Sequence, residues 1–318
     1  MKKIFITLII IIVVAFVVGL ISRQNKQTKK NNLAVVKIGY APYVSPYFVA
    51  IEKGYFEKEG IKAELISMPS SINSMQAMAK GEVDVLSVPY SVLFQFENTF
   101  PGSFKIFGGV IEPKDKPYSY LIVKNNINSV DELRGKKIVT RSGSNAKMQA
   151  ELVLKGLNID SKDIELVQVE SPLTAATFAK SDISADIDSE PSATSILKKV
   201  GGKILVAAVR PKYLTDPYPS TGFIFSSKFV AKNKIVADKF VKANDKAIDY
   251  LNKHDSEFRT IMEKFLKLDH DIASSMSTIV FEKLSQLNKT AIKNEMLLEY
   301  KNKILKKKVD LTNVYYTL

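Results

Sequence analysis

Asp84-Val85-Leu86-Ser87-Val88-Pro89 and Asp186-Ile187-Asp188-Ser189-Glu190-Pro191 share the pattern Asp-x-x-Ser-x-Pro, 102 positions apart. Each follows a helix-like segment ending in Ala-Lys, at Ala79-Lys80 and Ala179-Lys180. Each reads as a short strand that stops at Ser-x-Pro. Proline suits the first turn of a helix, where a missing N–H has no partner to lose. Both copies therefore read helix, strand, loop, helix start. In open α/β sheets the loop after a parallel strand is where ligands sit. Two such loops, one in each half of the chain, predict two lobes facing one cleft.

The pattern extends outward from both copies. Residues 35–40 read as a strand, 47–59 as a helix stopped by Gly60, and 61–66 as a second strand. That strand–helix–strand unit implies a parallel pair with a right-handed crossover. Residues 72–80 read as a helix, 83–88 as a strand, 92–96 as a short apolar helix and 104–111 as a strand. Around the second copy, residues 118–123 are extended, and Ser129 with Glu132 forms a capping-box pattern. Strands are expected at 137–140, 164–169, 185–188 and 204–208. Helices are expected to open at Ser142 and to cover 174–180 and 192–199. Phe223-Ile224-Phe225 is extended again and returns to the first lobe, after which the chain reads as almost entirely helical to about residue 308. The expected fold is α/β with two hinge crossovers and a helical C-terminal region. One lobe is built from 35–119 and 222–318, the other from 120–221.

A chain of 318 residues, 46% hydrophobic and 25% charged, has the composition of a globular protein with room for two domains. It contains no cysteine, which excludes disulfides, thiolate chemistry and lipid attachment through an N-terminal cysteine. Its two histidines, His254 and His270, lie in Lys-rich helical stretches and read as surface positions. No metal site, catalytic group or cofactor is expected. The net charge of +13 is uneven: residues 1–34 carry six basic residues and no acid, and lysines cluster at 301–308. Lys dominates over Arg and the body mixes signs. Nucleic-acid binding is therefore not expected, and attraction to anionic lipid is the better reading.

Residues 4–21 are apolar apart from Thr7 and follow Lys2 and Lys3. As a helix they rise about 27 Å, close to a hydrocarbon core of ~30 Å. Residues 1–22 read as a membrane anchor or signal segment and 23–34 as a polar tether. An uncleaved anchor holding the body outside the membrane is favoured. A secreted or periplasmic product of cleavage is the alternative. Arg23, Lys26, Lys29 and Lys30 after the span run against export by the positive-inside rule.

Four segments carry a family likeness. Lys37-Ile38-Gly39-Tyr40 with the stretch from Ala50 to Leu65 resembles the opening of the periplasmic solute-binding proteins of the sulfonate/nitrate/taurine and thiamine-pyrimidine-precursor (SsuA/THI5-like) group. The stretch from Ala79 to Val85 resembles that group's next segment, and Ser129 to Ile138 its entry to the second lobe. Glu190-Pro191 resembles a later acid-proline element. The likeness spans roughly residues 36–225. It implies a type II periplasmic-binding fold that captures a small molecule and delivers it to the permease and ATPase of an ABC importer, as a monomer.

Several residues are candidates for ligand binding, each with a plain alternative. Ser142, Gly143, Ser144 and Asn145 open a helix, where free N–H groups and the helix dipole favour an anion; an ordinary serine cap is the alternative. Arg141 either pairs with an anion or sits at the surface, and the surface reading is preferred. Pro42, Tyr43, Ser45 and Tyr47 follow the first strand as a stiff, aromatic loop, or their tyrosines pack over the core. Ser87 and Tyr90 follow the third strand, and Glu190 is the matching position in the other lobe. Its carboxylate either holds a ligand amine or hydroxyl or acts as a first-turn helix acid. Tyr218 and Thr221 lie near the return crossover.

A binding protein without catalysis is the favoured function. A membrane-tethered sensory or scaffold domain is one alternative, separable by neighbouring permease and ATPase genes. A biosynthetic enzyme on the same fold is another. The family's pyrimidine-precursor synthases use cysteine-rich and histidine elements, which this chain lacks near the expected cleft.

Overall fold

The computed structural model describes residues 33–40, 45–68, 70–170 and 173–318. The expected anchor, the tether through residue 32, and Pro42 and Tyr43 lie outside the described residues. Among the described residues no helix is long and apolar enough to cross a membrane.

Two sheets organise the described residues. The first contains β1 (Ala34–Tyr40), β2 (Ile61–Ser67), β3 (Val85–Pro89), β4 (Phe104–Glu112), β10 (Tyr218–Ser226) and β11 (Val280–Lys283) in the order β11-β4-β10-β3-β1-β2. β1 pairs in parallel with β2 and β3, as the strand–helix–strand reading requires, while β10 returns antiparallel between β3 and β4. The second sheet contains β5 (Ser119–Val123), β6 (Lys137–Arg141), β7 (Glu165–Val169), β8 (Ile183–Ser189) and β9 (Lys203–Ala207) in the order β7-β6-β8-β5-β9. β3 and β8, the two copies of the opening pattern, thus occupy interior positions in different sheets.

Local chemistry explains the helix boundaries. The expected helix at 47–59 is two helices, α1 (Pro46–Glu52) and α2 (Tyr55–Lys58). Gly54 separates them with φ +65°, a left-handed conformation that favours glycine and breaks helix continuity. The Ser45 hydroxyl caps α1 by accepting from the Tyr47 N–H at 3.3 Å. Helix α3 (Ser71–Lys80) is capped by Ser70 in the same way. Pro89 and Pro191 each sit one position earlier than the first-turn reading placed them, as the residue preceding α4 (Tyr90–Thr99) and α7 (Ser192–Lys199). The capping box read at Ser129 and Glu132 does not form: the Ser129 hydroxyl donates to the Glu132 carboxylate at 3.1 Å instead of capping a backbone N–H, and a short 3₁₀ turn at Asp131–Leu133 follows Val130.

The C-terminal third is mostly helical to Lys301, after which turns and irregular chain run to the C-terminus instead of helix to about residue 308. Helices α9 (Ser227–Leu251), α10 (Asp255–Leu266), α11 (His270–Ser275) and α12 (Lys289–Lys301) are interrupted by β11, an edge strand on β4. The four-residue strand was hidden because Val280 and Phe281 match a helical as well as a strand pattern. Two cores flank the first sheet. One gathers Phe107, Phe223, Phe225 and Phe240 into a ring cluster, and the other joins Tyr90, Phe94, Ile292 and Met296.

Candidate functional site

A cavity of about 450 Å³ lies between the two sheets. Pro89, at the end of β3, lines one wall, and Ser189 and Glu190, at the end of β8, line the other. The loops of the two pattern copies do face one cleft. From the first sheet and its helices come Ile72, Val92, Gln95 and Val110, all uncharged. Among the described residues, every charged side chain on the wall follows the second sheet: Arg141, Glu170, Glu190 and Arg210. A charged wall thus faces an uncharged one that mixes apolar side chains with hydroxyls and the Gln95 amide.

Buried acidic groups stand behind both cations. Arg141 ends β6; its Nε lies 2.5 Å from Asp188 Oδ1, and its Nη2 donates to the Ser189 hydroxyl at 2.9 Å. Asp188 is 2% exposed, and Asp186, two positions earlier, is fully buried. Burial, and then the Asp188 charge, push Asp186 well above the ordinary carboxylate range. Arg210 lies on α8 (Val209–Tyr213); its backbone N–H donates to the Ser119 hydroxyl at 3.2 Å, and its guanidinium stands 5.6 Å from the Tyr218 ring centre. Beneath it, buried Glu112 accepts from the Tyr118 and Ser119 N–H groups and the Ser119 hydroxyl at 2.8–2.9 Å. Burial raises the Glu112 carboxyl and Arg210 pulls it back down.

A notch of about 20 Å³ opens between Arg141 and Arg210, walled also by Thr140, Gln149 and Asp188. That is room for one water, or for one oxygen of a ligand head group. Above the notch, α5 (Ser144–Gly156) points its N-terminus at the cleft, where Ser142, Gly143 and Asn145 line the wall. Gly143 has φ +108°, and the Ser142 hydroxyl donates to Glu170 at 2.5 Å. One turn into the helix, the Gln149 amide donates to the Tyr218 hydroxyl at 2.7 Å. Two guanidiniums and a helix N-terminus, groups whose charge and dipole favour an anion, stand on one wall.

The structure sorts the sequence-derived residues. Ser142, Gly143, Asn145, Glu190, Tyr218 and Thr221 line the cleft. Ser144 begins α5, and its side chain lies outside what the structure describes. Ser45 is buried and spent on capping α1. Tyr47 is 1% exposed and packs against Phe223 and Phe240, so its core reading holds; burial raises its hydroxyl far above its ordinary value. Ser87 sits beside the Tyr47 hydroxyl, away from the cleft wall. Tyr90 is likewise core, with its hydroxyl over Gly109. Arg141, read as a surface residue, instead has an 18% exposed side chain pinned in the cleft wall. Glu190 reaches the wall, but its carboxylate is committed to Thr194 and Ser277. Sequence reasoning missed Arg210 and Gln149. Gln149 lies six residues after Gly143, and that spacing could have pointed to it; Arg210 had no such signal, because the short α8 was not foreseen.

His254, the residue preceding α10, stacks on Tyr250, and His270, at the start of α11, lies 3.0 Å from Glu263. Among the described residues, no group of three or more His, Cys, Asp or Glu is placed to hold a metal.

Residues 41–258 match the family model described as NMT1/THI5 like. A Bacillus subtilis (strain 168) protein named as an aliphatic sulfonates-binding protein is 24% identical over 96% of this chain and 93% of its own length. The 4-amino-5-hydroxymethyl-2-methylpyrimidine phosphate synthase of Aspergillus parasiticus is 23% identical over 76% of this chain and 72% of its own. Among solved structures, the periplasmic aliphatic sulphonate binding protein SsuA from Escherichia coli superposes with a TM-score of 0.71 at 18% identity, covering 89% of this chain and 92% of that one. The fold is the type II periplasmic-binding fold, and the chain belongs to the NMT1/THI5-like family.

Proposed function

We propose that this protein is an extracytoplasmic solute-binding protein that captures a small organic anion between its two lobes and passes it to an ABC importer. The observation that carries this reading is the division of the cleft. Arg141, Arg210 and the α5 N-terminus stand on one wall, and Ile72, Val92 and Val110 on the other. A ligand with an anionic head and a short apolar body matches both. An alkanesulfonate has that chemistry, and the sulfonate-binding names of the relatives support it. Residues 35–119 with 222–318 form one lobe in this reading, and 120–221 the other. The head group docks first on the charged lobe, and the other lobe closes over the body. Ligand favours the closed form by its differential affinity for that form alone. Residues 1–22 tether the protein to the membrane beside its permease, and the protein acts as a monomer.

The synthase relative keeps an enzymatic reading in view. Against it, the two histidines lie outside the cleft wall, and no cysteine exists to serve as a nucleophile. Thermal shift and solution scattering with alkanesulfonates, nitrate, pyrimidines and amines test the proposal. Stabilisation with compaction by an organic anion supports it. Turnover of any of these by the purified protein moves the assignment to an enzyme, and a flat response to all of them removes it.

A further inference from the structure

The Gln149 amide ends a buried chain that runs from the cleft wall to the C-terminal helix α12. Gln149 Nε2 donates to Tyr218 Oη at 2.7 Å and lies 3.3 Å from Asn145 Oδ1. Tyr218 is 2% exposed, and its hydroxyl acts on the Glu295 carboxyl, holding it down against burial. Thr215 Oγ1 reaches the same carboxyl at 3.4 Å. One turn along α12 lies Glu299, fully buried, with neither carboxyl oxygen hydrogen-bonded to any described residue. Two adjacent buried carboxyls resist being ionised together.

We propose that Tyr218 and Glu295 are positioning residues that set which atom of the Gln149 amide faces the cleft, with the proton on Glu295 selecting between two settings. An ionised carboxylate only accepts, so the Tyr218 hydroxyl donates to it and accepts from Gln149 Nε2. Gln149 Oε1 is then left for the cleft. A protonated Glu295 donates to Tyr218 Oη instead. The Tyr218 proton turns to Gln149, which must present Oε1, and the amide flips to aim Nε2 at the cleft. One proton from solvent on Glu295 is the only change in composition, and it adds a donor for an anion.

The groups around Glu295 keep the switch in a usable range. Glu299 faces it from α12, Tyr218 from β10 and Arg210 from α8, with Tyr118 next to Tyr218. Helix α4 packs on α12 through a cluster that contains Tyr90, Phe94, Ile292 and Met296. Burial is the largest influence on both; at Glu295 Thr215, Tyr218 and Arg210 oppose it, leaving that carboxyl at about 8, and at Glu299 the Glu295 charge adds to it, leaving that one at about 9. Tyr218 itself is pushed well above its ordinary value by burial and stays a neutral hydroxyl. Anion affinity should therefore fall as pH rises through about 8.

The affinity consequence rests on the anion-binding reading; the amide flip does not. The test is a side-chain amide NMR titration of Gln149 between pH 6.5 and 9.5, run beside binding of a short-chain alkanesulfonate, which stays an anion throughout. In the wild type the Gln149 resonances should shift with a midpoint near 8. Glu295→Gln and Tyr218→Phe should abolish that shift, and Glu299→Gln should leave its midpoint near 8, because Glu299, at about 9, is still protonated when Glu295 titrates. Alkanesulfonate affinity should drop about tenfold across the range in the wild type, the size of one ordinary hydrogen bond, and stay level in Glu295→Gln. If no sulfonate binds but the amide still titrates, the assigned function fails and the positioning role stands. A Gln149 resonance that stays fixed, or that moves equally in Glu295→Gln, overturns the positioning role.

Discussion

Glu190, at the end of β8, accepts a hydrogen bond from the Ser277 N–H, in the segment leading to β11, at 3.1 Å. The bond joins the two layers. Beside it the Ser277 and Tyr120 hydroxyls lie 2.6 Å apart, and Lys199 pairs with Asp269 at 2.7 Å. Burial raises the Glu190 carboxyl above its ordinary value, while the bonds from Ser277 and Thr194 hold it down. One flank of the cleft is thus fastened by a cluster of interlayer contacts. Glu190→Ala strands the Thr194 and Ser277 N–H groups, at a cost of about 1–3 kcal/mol for each one kept from water. A lower Tm and a larger radius of gyration for the ligand-free protein are expected. An unchanged radius would show that the contact does not hold the lobes together.

The two cleft arginines should respond differently to truncation. Arg141 compensates buried Asp188, so Arg141→Gln leaves an unpaired buried charge, which costs about 3–5 kcal/mol. Arg210 stands over Glu112, which keeps three other donors. Arg210→Gln should therefore leave urea stability within about 1 kcal/mol of wild type, the range of an exposed or screened ion pair. Equal losses in both variants would contradict this division of labour.

The buried pair on α12 makes stability depend on pH. Glu295 at about 8 and Glu299 at about 9 both lie above the ordinary carboxyl value of 4.5. The folded state then binds protons that the unfolded state has released, so the pair's contribution is full below pH 4.5 and is lost as pH rises to about 9. Wild-type Tm should fall between pH 6 and 9.5. In Glu299→Gln the fall should be shallower, with a Tm at pH 9.5 above wild type by roughly 3–8 °C, the shift that a few kcal/mol produces in a domain of this size. Parallel Tm curves for the two proteins would contradict it.

Gly109 should tolerate no side chain. A Cβ there would meet Thr221 O and Tyr90 Oη, each at 2.8 Å. The first is backbone of β10, paired with β4 at this position, so it cannot retreat without opening the sheet. Gly109→Ala is expected to cost about 1–3 kcal/mol of overpacking, read as a lower midpoint in urea.

The order of strands and helices was largely legible because hydrophobic period and turn residues are local signals. From the paired pattern at 84–89 and 186–191, Pro89, Ser189 and Glu190 line the same cavity. Three-dimensional facts were less legible. Tyr47 and Tyr90 lie beside the right loops yet turn into the core, since period alone does not say which face of a short helix is buried. Arg141 looked like a surface cation because its partner, Asp188, comes from a neighbouring strand 47 residues away. Arg210 reaches the cleft through α8, a five-residue helix between β9 and the return strand that has no strong period. The strand at Val280–Lys283 is set by its pairing with β4, which its own sequence does not announce.

Isothermal titration of the purified protein and of Arg210→Gln with a short-chain alkanesulfonate at pH 6.5 tests the anion-binding cleft most directly. The account predicts one site per chain in the wild type and a Kd about 10–100-fold weaker in the variant, the size of a lost charge-assisted hydrogen bond. Equal affinity in the two proteins, or no binding by the wild type, would contradict it.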